Sequence, residues 1–358
     1  MGVNKSHPRL RIAVVAPPWF EIPPHGYGGI EWVCHWLVEG LIDRGHEVTL
    51  VATGQPHTRA RFIRTYHDPP SARLGEPLPE LLHAAIADRE LSELEFDLVH
   101  DHSFAGPLLA GARPAPTIVT AHGPVDGELG EYYGRLHPHV GLVAISEAQR
   151  RWAPGLPWLA TIHNSIPVDE YPFVAEKDRF VLFLGRMSPE KGAHLAIEAA
   201  REAGFPLVLA GKLNEAKEHA YFETEVRPRL GPDVNWIGPA HTELKKDLLA
   251  RARCLVFPIR WEEPFGIVMA EAMACGTPVV ALNRGSVPEV VVDDETGFIC
   301  DRPADLPEAI KRSELIDPET CRERARSHFD VTGMVEKYET AYRSAIETFA
   351  LKQEKMGE

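Results

Sequence analysis

The segment 259–282 constrains the fold of this chain more than any other stretch. It reads IRWEEPFGIVMAEAMACGTPVVAL. The apolar run at 255–259 predicts a buried parallel strand, and the uninterrupted helix formers at 265–274 predict a helix. A glycine and a proline then end the helix before a second apolar run at 279–282. The segment therefore predicts a strand–helix–strand unit of a parallel sheet.

The turn that opens the predicted helix carries groups suited to a polar, anionic ligand. Unpaired N–H groups at Phe265, Gly266 and Ile267 would point out of the helix start, where the helix dipole favours an anion. Glu263 precedes the turn, and Glu271 lies eight positions later. Carboxylate oxygens accept hydrogen bonds from sugar or ribose hydroxyls. A solvated helix with incidental acids would explain two glutamates alone, but the tryptophan, proline and phenylalanine around them favour a site.

A second strand–helix–strand unit opens the chain. Apolar strands are predicted at 10–16 and 47–52, with an amphipathic helix at 30–44 between them. Gly28 and Gly29 lie in the first turn, as in a phosphate-binding loop. A tight turn would explain these glycines equally well. The loop lacks the G-x-G-x-x-G spacing, which disfavours a dinucleotide oxidoreductase.

Polar side chains follow three further predicted strands of the first half. They are Asp101 and His102, then His122, then Ser146 and Arg150. The carboxyl ends of parallel strands are where open α/β sheets bind ligands, so we expect these residues near a cleft. A core histidine bound by backbone groups remains the alternative for His122. Adjacent residues chelate poorly, so a metal at the His-Asp-His run is disfavoured.

Two cations follow the predicted strand at 180–184. Arg186 and Lys191 flank a turn that opens on a helix at 193–203. A guanidinium offers a planar fork and an ammonium a compact charge, and together they suit a diphosphate. Two solvated surface charges are the alternative interpretation. The polar stretch at 212–221 is predicted to be a loop.

Composition limits the classes of protein that remain. The 358 residues suggest two domains. The formal net charge of −14 does not favour nucleic-acid binding. Cysteines without paired spacing indicate reduced thiols and predict a cytoplasmic location, and no apolar stretch predicts a signal peptide or membrane span. The segment 57–79 is predicted to be irregular or an edge of the sheet, and it contains Arg59, Arg61 and Arg64. These arginines could contact an anionic acceptor or a membrane surface, but a solvated edge is the favoured interpretation.

Two strings carry a resemblance to a known family. Glu263 and Glu271 inside EEPFGIVMAEAMACGTPVVA, together with GRMSPEKG at 185–192, resemble the signatures of retaining family 4 glycosyltransferases. The resemblance implies an α/β protein of the GT-B fold, with two Rossmann-like domains facing across a cleft. It places an acceptor-side domain at 1–168 and a donor-binding domain at 169–334. The last helix, 335–358, is expected to return to the first domain.

The resemblance also implies a function and a set of site residues. The expected enzyme, a hexosyltransferase, moves a sugar from a UDP- or GDP-linked donor to an acceptor hydroxyl, with retained anomeric configuration and with no cofactor or metal required. The implied catalytic residues are His122, Arg186, Lys191 and Glu263. The implied donor-binding residues are Gly28, Gly29, Arg186, Lys191, Ile237, Gly238, Glu263, Phe265, Gly266, Ile267 and Glu271. The implied acceptor-side residues are Tyr27, Asp101, His102, Ser146 and Arg150.

Within that resemblance, Glu271 would bind ribose hydroxyls, Glu263 would bind sugar hydroxyls, and His122 would orient the sugar. One departure from the family pattern is Ser165, which stands where glycine is usual before the second domain; a positive φ there would strain a serine. The donor and an acceptor are the expected partners, without nucleic acid and with peripheral membrane contact as an open possibility. A nucleotide-sugar epimerase and a non-enzymatic two-lobed binder are the alternatives. The sugar, base, acceptor, linkage and oligomeric state stay open.

Overall fold

Two parallel β-sheets, one in each half of the chain, organise the protein. The computed structural model describes residues 8–26 and 28–357, with side chains to residue 355, so Tyr27 lies outside the described residues. Both sheets are parallel throughout their named strands and are flanked by helices. The α/β class and the two Rossmann-like halves predicted from the sequence are confirmed.

The first sheet has the strand order β3-β2-β1-β4-β5-β6-β7. Its strands are β1 (Arg11–Val15), β2 (Glu47–Ala52), β3 (Arg61–Arg64), β4 (Leu98–Asp101), β5 (Thr117–Ala121), β6 (Val140–Ala144) and β7 (Trp158–Thr161). The second sheet has the order β10-β9-β8-β11-β12-β13. Its strands are β8 (Val181–Leu184), β9 (Leu207–Ala210), β10 (Val234–Trp236), β11 (Leu255–Phe257), β12 (Val279–Leu282) and β13 (Gly297–Cys300).

Helices cover the faces of both sheets. The α-helices are α1 (Gly29–Asp43), α2 (Pro77–Ser92), α3 (Gly127–Arg135), α4 (Glu147–Trp152), α5 (Ala193–Ala203), α6 (Ala216–Tyr221), α7 (Thr242–Arg251), α8 (Ile267–Ala274), α9 (Val287–Val290), α10 (Leu306–Arg312), α11 (Pro318–Phe329) and α12 (Val331–Gly357). Short 3₁₀ turns lie at Ser71–Arg73, Gly106–Ala112, Val168–Glu170, Arg227–Arg229, Pro303–Asp305 and Ser313–Leu315, and a π-helical turn at Phe222–Val226.

The strands are buried on both faces because helices cover both sides of each sheet. Val14, Leu50 and Ile118 in the first sheet and Val256 and Val280 in the second are fully buried. Parallel sheets with two covered faces require such continuous apolar strands. This is why short runs of valine, leucine and isoleucine were sufficient to locate most strands from the sequence.

The last helix packs on the first half of the chain. Val335, Tyr338 and Tyr342 of α12 belong to the same apolar core as β1 and β2. The contact agrees with the expected return of the final helix, which begins at Val331, a few residues before the prediction. The chain leaves the first half near Ile166 and returns to it after Phe329. The two crossings lie side by side, because the Ile166 amide donates to the Phe329 carbonyl (2.9 Å).

One local prediction is wrong, and the structure answers two others. Residues 212–221, predicted as a loop, include helix α6, in which Glu215 and Glu218 form a reciprocal capping box. Those two contacts satisfy amides that a polar sequence would otherwise leave exposed. Ser165 does not have a positive φ, so the serine is not strained, and the turn differs from one that requires glycine at this position. The segment 57–79, predicted to be irregular or an edge, contains β3, which is an edge strand of the first sheet, so the prediction of an edge is confirmed. Within it, Arg59 is held by Glu39 (2.6 Å). The helices in the described part of the chain include none with the length and apolar composition of a membrane span.

Candidate active site

An ion pair between the two predicted motifs forms the centre of the site. Lys191, beyond β8, contacts Glu263, beyond β11, with 2.5 Å between Nζ and Oε2. The indole N–H of Trp261 donates to the same carboxylate oxygen at 2.9 Å. The ammonium also lies 5.2 Å from the Trp261 ring centroid, a cation–π distance. Strand order brings together side chains that are 72 positions apart, because β8 and β11 are neighbours.

Arg186 lies at the same edge of the second sheet. Its guanidinium is 3.3 Å from Glu190 and 3.8 Å from Glu218, and about a quarter of its side chain is exposed. A cavity of about 710 Å³ opens beside it, on the side of helix α6. The Ser188 hydroxyl borders this cavity and is buried without a hydrogen-bond partner among the described residues. Neither Lys191 nor Glu263 lines the cavity, which therefore flanks the predicted diphosphate loop.

Glu271 has cationic and phenolic partners that the local sequence did not reveal. Lys245 of α7 contacts its carboxylate at 2.5 Å, and the Tyr171 hydroxyl donates to the same oxygen at 2.8 Å. Only about 5% of the Glu271 side chain is exposed. These two contacts fix the carboxylate in one orientation.

The helix opening differs from the prediction. Helix α8 begins at Ile267, and Gly266 is its N-cap with φ of 70°. That left-handed conformation suits glycine, so the first-turn amides are those of Ile267 and Val268 rather than that of Phe265. The Phe265 ring is buried 5.7 Å from the His163 ring. Ile267 packs against the cores of both halves, so this helix start lies where the halves meet.

The turn before α8 is also held by hydrogen bonds from Gly285 and Ser286, two residues that were not predicted to belong to the site. The amide of Ser286 donates to the Glu263 carbonyl (3.0 Å), and its hydroxyl donates to the Phe265 carbonyl (2.7 Å). The Gly285 amide donates to the Glu262 carboxylate at 2.7 Å. The Gly-Ser pair in ALNRGS predicts a turn. The residues that it contacts lie more than twenty positions earlier in the chain, so the sequence alone did not reveal the contact.

Gly192 joins the two motif loops. A Cβ at this position would lie 2.2 Å from the Pro258 carbonyl oxygen, closer than any side chain allows. The Arg260 amide donates to the Glu190 carbonyl at 2.8 Å across the same junction. The loop with Arg186 and Lys191 is therefore held against the loop with Glu263. At the neighbouring strand end, Ile237 and Gly238 are half-exposed, and the Gly238 carbonyl accepts from the Gly211 amide (3.0 Å).

The glycine loop of the first half leads into a buried acid that was not predicted. Gly28 is buried and Gly29 is exposed at the start of α1. Glu31, in the first turn, is 4% exposed. Burial raises the pKa of its carboxyl to about 7, against a smaller opposing effect of Lys212 beyond β9. An acid of the first half thus faces a cation of the second.

Three histidines form a stack behind the carboxyl edge of the first sheet. His122 Nε2 and His102 Nδ1 are 2.8 Å apart, and the ring centroids of His102 and His100 are 4.0 Å apart. Burial lowers the pKa of His122 to about 4 and, with a smaller effect of His122, that of His100 to about 3. The rings are therefore neutral near pH 7. His122 Nδ1 and His102 Nε2 are buried without a hydrogen-bond partner among the described residues.

The last helix supports this histidine stack. The Tyr342 hydroxyl lies 2.8 Å from His100 Nδ1. Thr120 Oγ1 lies 2.8 Å from His100 Nε2 and 2.9 Å from the Tyr338 hydroxyl. Both ring nitrogens of His100 are thus occupied, and the ring against which His102 packs cannot rotate freely. Sequence reasoning could not find this support, because Tyr338 and Tyr342 looked like members of an apolar stripe.

The other acceptor-side candidates have contacts within the protein. Asp101 is fully buried, 3.5 Å from the guanidinium of Arg113, and accepts from the Ser103 amide (3.0 Å). The Ser146 hydroxyl accepts from the Gln149 amide at 3.0 Å as the N-cap of α4. Arg150 is partly exposed, 3.3 Å from Thr161. A role of these residues in binding an acceptor stays a prediction.

Glu289 links the two halves and was also missed. From α9 of the second half, its carboxylate accepts from the amides of Glu147 (2.8 Å) and Ala148 (2.5 Å) at the start of α4. His163 lies 3.1 Å from the same carboxylate. Burial raises the pKa of Glu289, but the hydrogen bonds from His163 and the two amides lower it more, so the net shift is downward.

Comparison with known proteins assigns the chain to a family. The family model described as Glycosyl transferases group 1 matches residues 169–328, and that described as Glycosyltransferase Family 4 matches residues 27–152. One match spans the whole second sheet and the other spans β2 to β6 of the first, and together they cover most of the chain. The protein belongs to the family 4 glycosyltransferases, and it is therefore an enzyme of the hexosyltransferase class.

Curated relatives support the same class. A glycogen synthase of Mycobacterium tuberculosis is 29% identical, with 89% of each chain covered. A phosphatidyl-myo-inositol mannosyltransferase of Mycolicibacterium smegmatis is 28% identical, with 80% of each chain covered. These proteins are named for different substrates, so they do not by themselves select a donor or an acceptor.

Solved structures confirm the GT-B fold. The crystal structure of AviGT4, a glycosyltransferase involved in avilamycin A biosynthesis, has a TM-score of 0.76 at 28% identity and covers 94% of this chain and 98% of its own. Anabaena HepE, solved in complex with UDP and glucose, has a TM-score of 0.74 at 18% identity and covers 94% of this chain and all of its own. The second likeness concerns the fold alone.

Proposed function

We propose that this enzyme transfers a sugar from a UDP- or GDP-linked donor to an acceptor hydroxyl with retention of the anomeric configuration. The observation that carries the proposal is the contact between Lys191 and Glu263, with Arg186 at the same sheet edge. This contact supports the proposal because cations suited to a diphosphate lie beside an acid suited to sugar hydroxyls. The HepE complex with UDP and glucose shows such ligands in a protein of the same fold.

In this proposal, the leaving diphosphate is stabilised by Arg186, Lys191 and the first turn of α8. Negative charge grows on the diphosphate as the bond to the anomeric carbon breaks. Preorganised donors that face developing charge lower the barrier because they need no reorganisation during the reaction. The fixed junction between the two motif loops at Gly192 provides that preorganisation.

Donor binding would replace the internal ion pairs by pairs with the ligand. The diphosphate would attract the Lys191 ammonium, and the Glu263 carboxylate would then accept from sugar hydroxyls. In the same way, Glu271 would accept from ribose hydroxyls while Lys245 and Tyr171 keep it oriented. The unliganded pairs keep buried charges satisfied until the donor arrives.

The proposed chemical step occurs on one face of the sugar. The acceptor oxygen forms a bond to the anomeric carbon, the bond from that carbon to the diphosphate oxygen breaks, and the acceptor proton moves to the departing diphosphate oxygen. His122, neutral near pH 7 and with Nδ1 unoccupied by the described residues, would hold a sugar hydroxyl. It would position the donor rather than form a bond to it.

The experiment that tests the class of donor is a thermal-shift screen of UDP, GDP, ADP and their sugars. A ligand that binds only the folded state raises the melting temperature with concentration. We expect a shift with UDP or GDP that is lost in Lys191→Ala. Equal behaviour of wild type and variant with every nucleotide would contradict the proposal.

The stereochemical proposal has its own test. After an acceptor is identified, proton NMR of the first-formed product gives the configuration at the new linkage. We expect the configuration of the donor to be retained. An inverted linkage would remove the same-face route, although it would leave the donor site intact.

A further inference from the structure

A group of three potential metal ligands lies outside the donor site. Glu21 and His25 follow β1, and His57 follows β2. One ligand atom from each of these side chains lies within 4.8 Å of the others. Among the described residues, no other set of three or more histidine, cysteine or acidic side chains meets this distance.

The carboxylate of this group is held in place by its surroundings. Glu21 forms a parallel bridge with Thr53 at the end of β2, and the Thr53 hydroxyl donates to the Phe20 carbonyl at 3.1 Å. A Cβ on Gly54 would lie 2.3 Å from Glu21 Cγ, so the glutamate side chain lies directly on the Gly54 backbone. About a fifth of the Glu21 side chain is exposed. One ligand is therefore preorganised.

The two imidazoles come from separate loops. His25 Nε2 lies 3.2 Å from Glu21 Oε2, and the His57 ring packs edge-on to the His25 ring with 6.2 Å between centroids. A divalent ion would use one nitrogen of each neutral ring and one carboxylate oxygen at once, and the three ligand atoms lie close enough together for this.

We propose that Glu21, His25 and His57 bind a divalent transition metal ion of the Zn²⁺ type. Two imidazole nitrogens and one carboxylate oxygen form a common zinc donor set, with a fourth position for water. Magnesium and calcium prefer all-oxygen ligands, so the two histidines select against them. The site would tie the loop after β1, which continues to Gly28, to the loop after β2. It is independent of the proposed sugar transfer.

The test is isothermal titration of chelator-treated, tag-free full-length protein with Zn²⁺. We expect one Zn²⁺ per chain, with affinity reduced more than roughly tenfold in His57→Ala and in Glu21→Gln. Absorption of the Co²⁺-substituted protein should show the intense visible bands of a tetrahedral ion, and these should disappear in His57→Ala. Neither readout depends on turnover.

His67→Ala is the matched control, because His67 is another exposed histidine of this half and pairs with a single carboxylate, Asp68, at 3.2 Å. It should bind Zn²⁺ like wild type. Equal Zn²⁺ affinity in wild type and His57→Ala, or equal losses in His57→Ala and His67→Ala, would show only adventitious binding and overturn the proposal. Melting temperatures without metal should match among the variants, and Zn²⁺ should raise that of wild type and His67→Ala only.

Discussion

The two halves of the site hold their polar groups in different ways. In the second half, charged side chains pair with each other across neighbouring loops, as Lys191 does with Glu263 and Lys245 with Glu271. In the first half, buried neutral rings stack behind the sheet edge, and His122 contacts His102. Ion pairs between neighbouring elements characterise the second half. Fixed neutral rings characterise the first, and two of their nitrogens have no hydrogen-bond partner in the described part of the chain.

This difference indicates a division of work. Exchangeable ion pairs suit a diphosphate, which brings its own charge and takes the place of an internal partner. Neutral imidazoles suit the uncharged hydroxyls of a sugar or an acceptor, because they bind without attracting a second anion. Variants in the second half should therefore change nucleotide affinity and the departure of the leaving group, and variants in the first half should change positioning.

The largest expected effect is that of Lys191→Ala. Loss of one preorganised electrostatic donor should raise the activation barrier by about 2.7–4 kcal/mol, or about 10²–10³ in turnover. Steady-state kinetics of nucleotide release measure it. Lys311→Ala removes an exposed lysine that faces Glu308 (3.9 Å) and should have no effect. Near-normal turnover of Lys191→Ala would contradict the proposal that Lys191 stabilises the leaving diphosphate.

Glu31 should make stability fall as pH rises. The folded protein keeps a proton on Glu31 up to about pH 7, whereas the unfolded carboxyl releases it near its ordinary pKa of 4.5. The contribution is fully present below pH 4.5 and is lost as pH rises through 7, with an upper bound of ~3 kcal/mol. Urea unfolding at pH 5 and pH 8 measures it. Glu31→Gln should flatten this dependence, and an unchanged pH profile in the variant would contradict the assignment.

His122→Ala should lower turnover with little change in nucleotide affinity. Misplacement of the reacting sugar costs roughly 10²-fold, and the proposed diphosphate contacts lie in the other half. Kinetics together with calorimetry of UDP and GDP separate the two quantities. His137→Ala, an exposed histidine of the same half, serves as the control. A loss of nucleotide affinity equal to the loss of turnover would contradict the proposal that the first half positions the sugar and the second half binds the nucleotide.

Glu271→Gln should weaken nucleotide binding by roughly tenfold, the value of one hydrogen bond to a charged group. Glutamine keeps the shape of the side chain and a carbonyl acceptor for Tyr171, so the fold should persist. Calorimetry with UDP and with a ribose-free pyrophosphate measures the effect. The variant should bind pyrophosphate normally. Equal weakening for both ligands would reject a ribose contact.

The second half of the site was largely predictable from sequence. Arg186 and Lys191 lie in one short segment after a strand, and Glu263 and Glu271 lie in another. The two segments are close in space because the strands before them, β8 and β11, are neighbours in the sheet. The helix start was wrong by two residues because Gly266, in a left-handed conformation, caps the helix instead of belonging to it. Lys245 was not identified as a partner, since nothing local relates it to Glu271.

The first half was less predictable for a physical reason. His102 and His122 were identified from their places after strands, but the contact between them depends on strand order. Glu31 and Glu289 were missed because their partners lie in the other half. Helix boundaries and apolar strands follow from local periodicity, whereas contacts between halves depend on how two sheets pack, which no short sequence window encodes.

The most direct test is a crystal structure of the enzyme with UDP or GDP bound. We expect both phosphates within hydrogen-bond distance of Arg186 and Lys191, the ribose at Glu271, and the contact between Lys191 and Glu263 broken in favour of the ligand. A nucleotide bound away from the carboxyl edge of the second sheet, with the Lys191–Glu263 pair intact, would contradict the proposal that charge exchange drives donor binding.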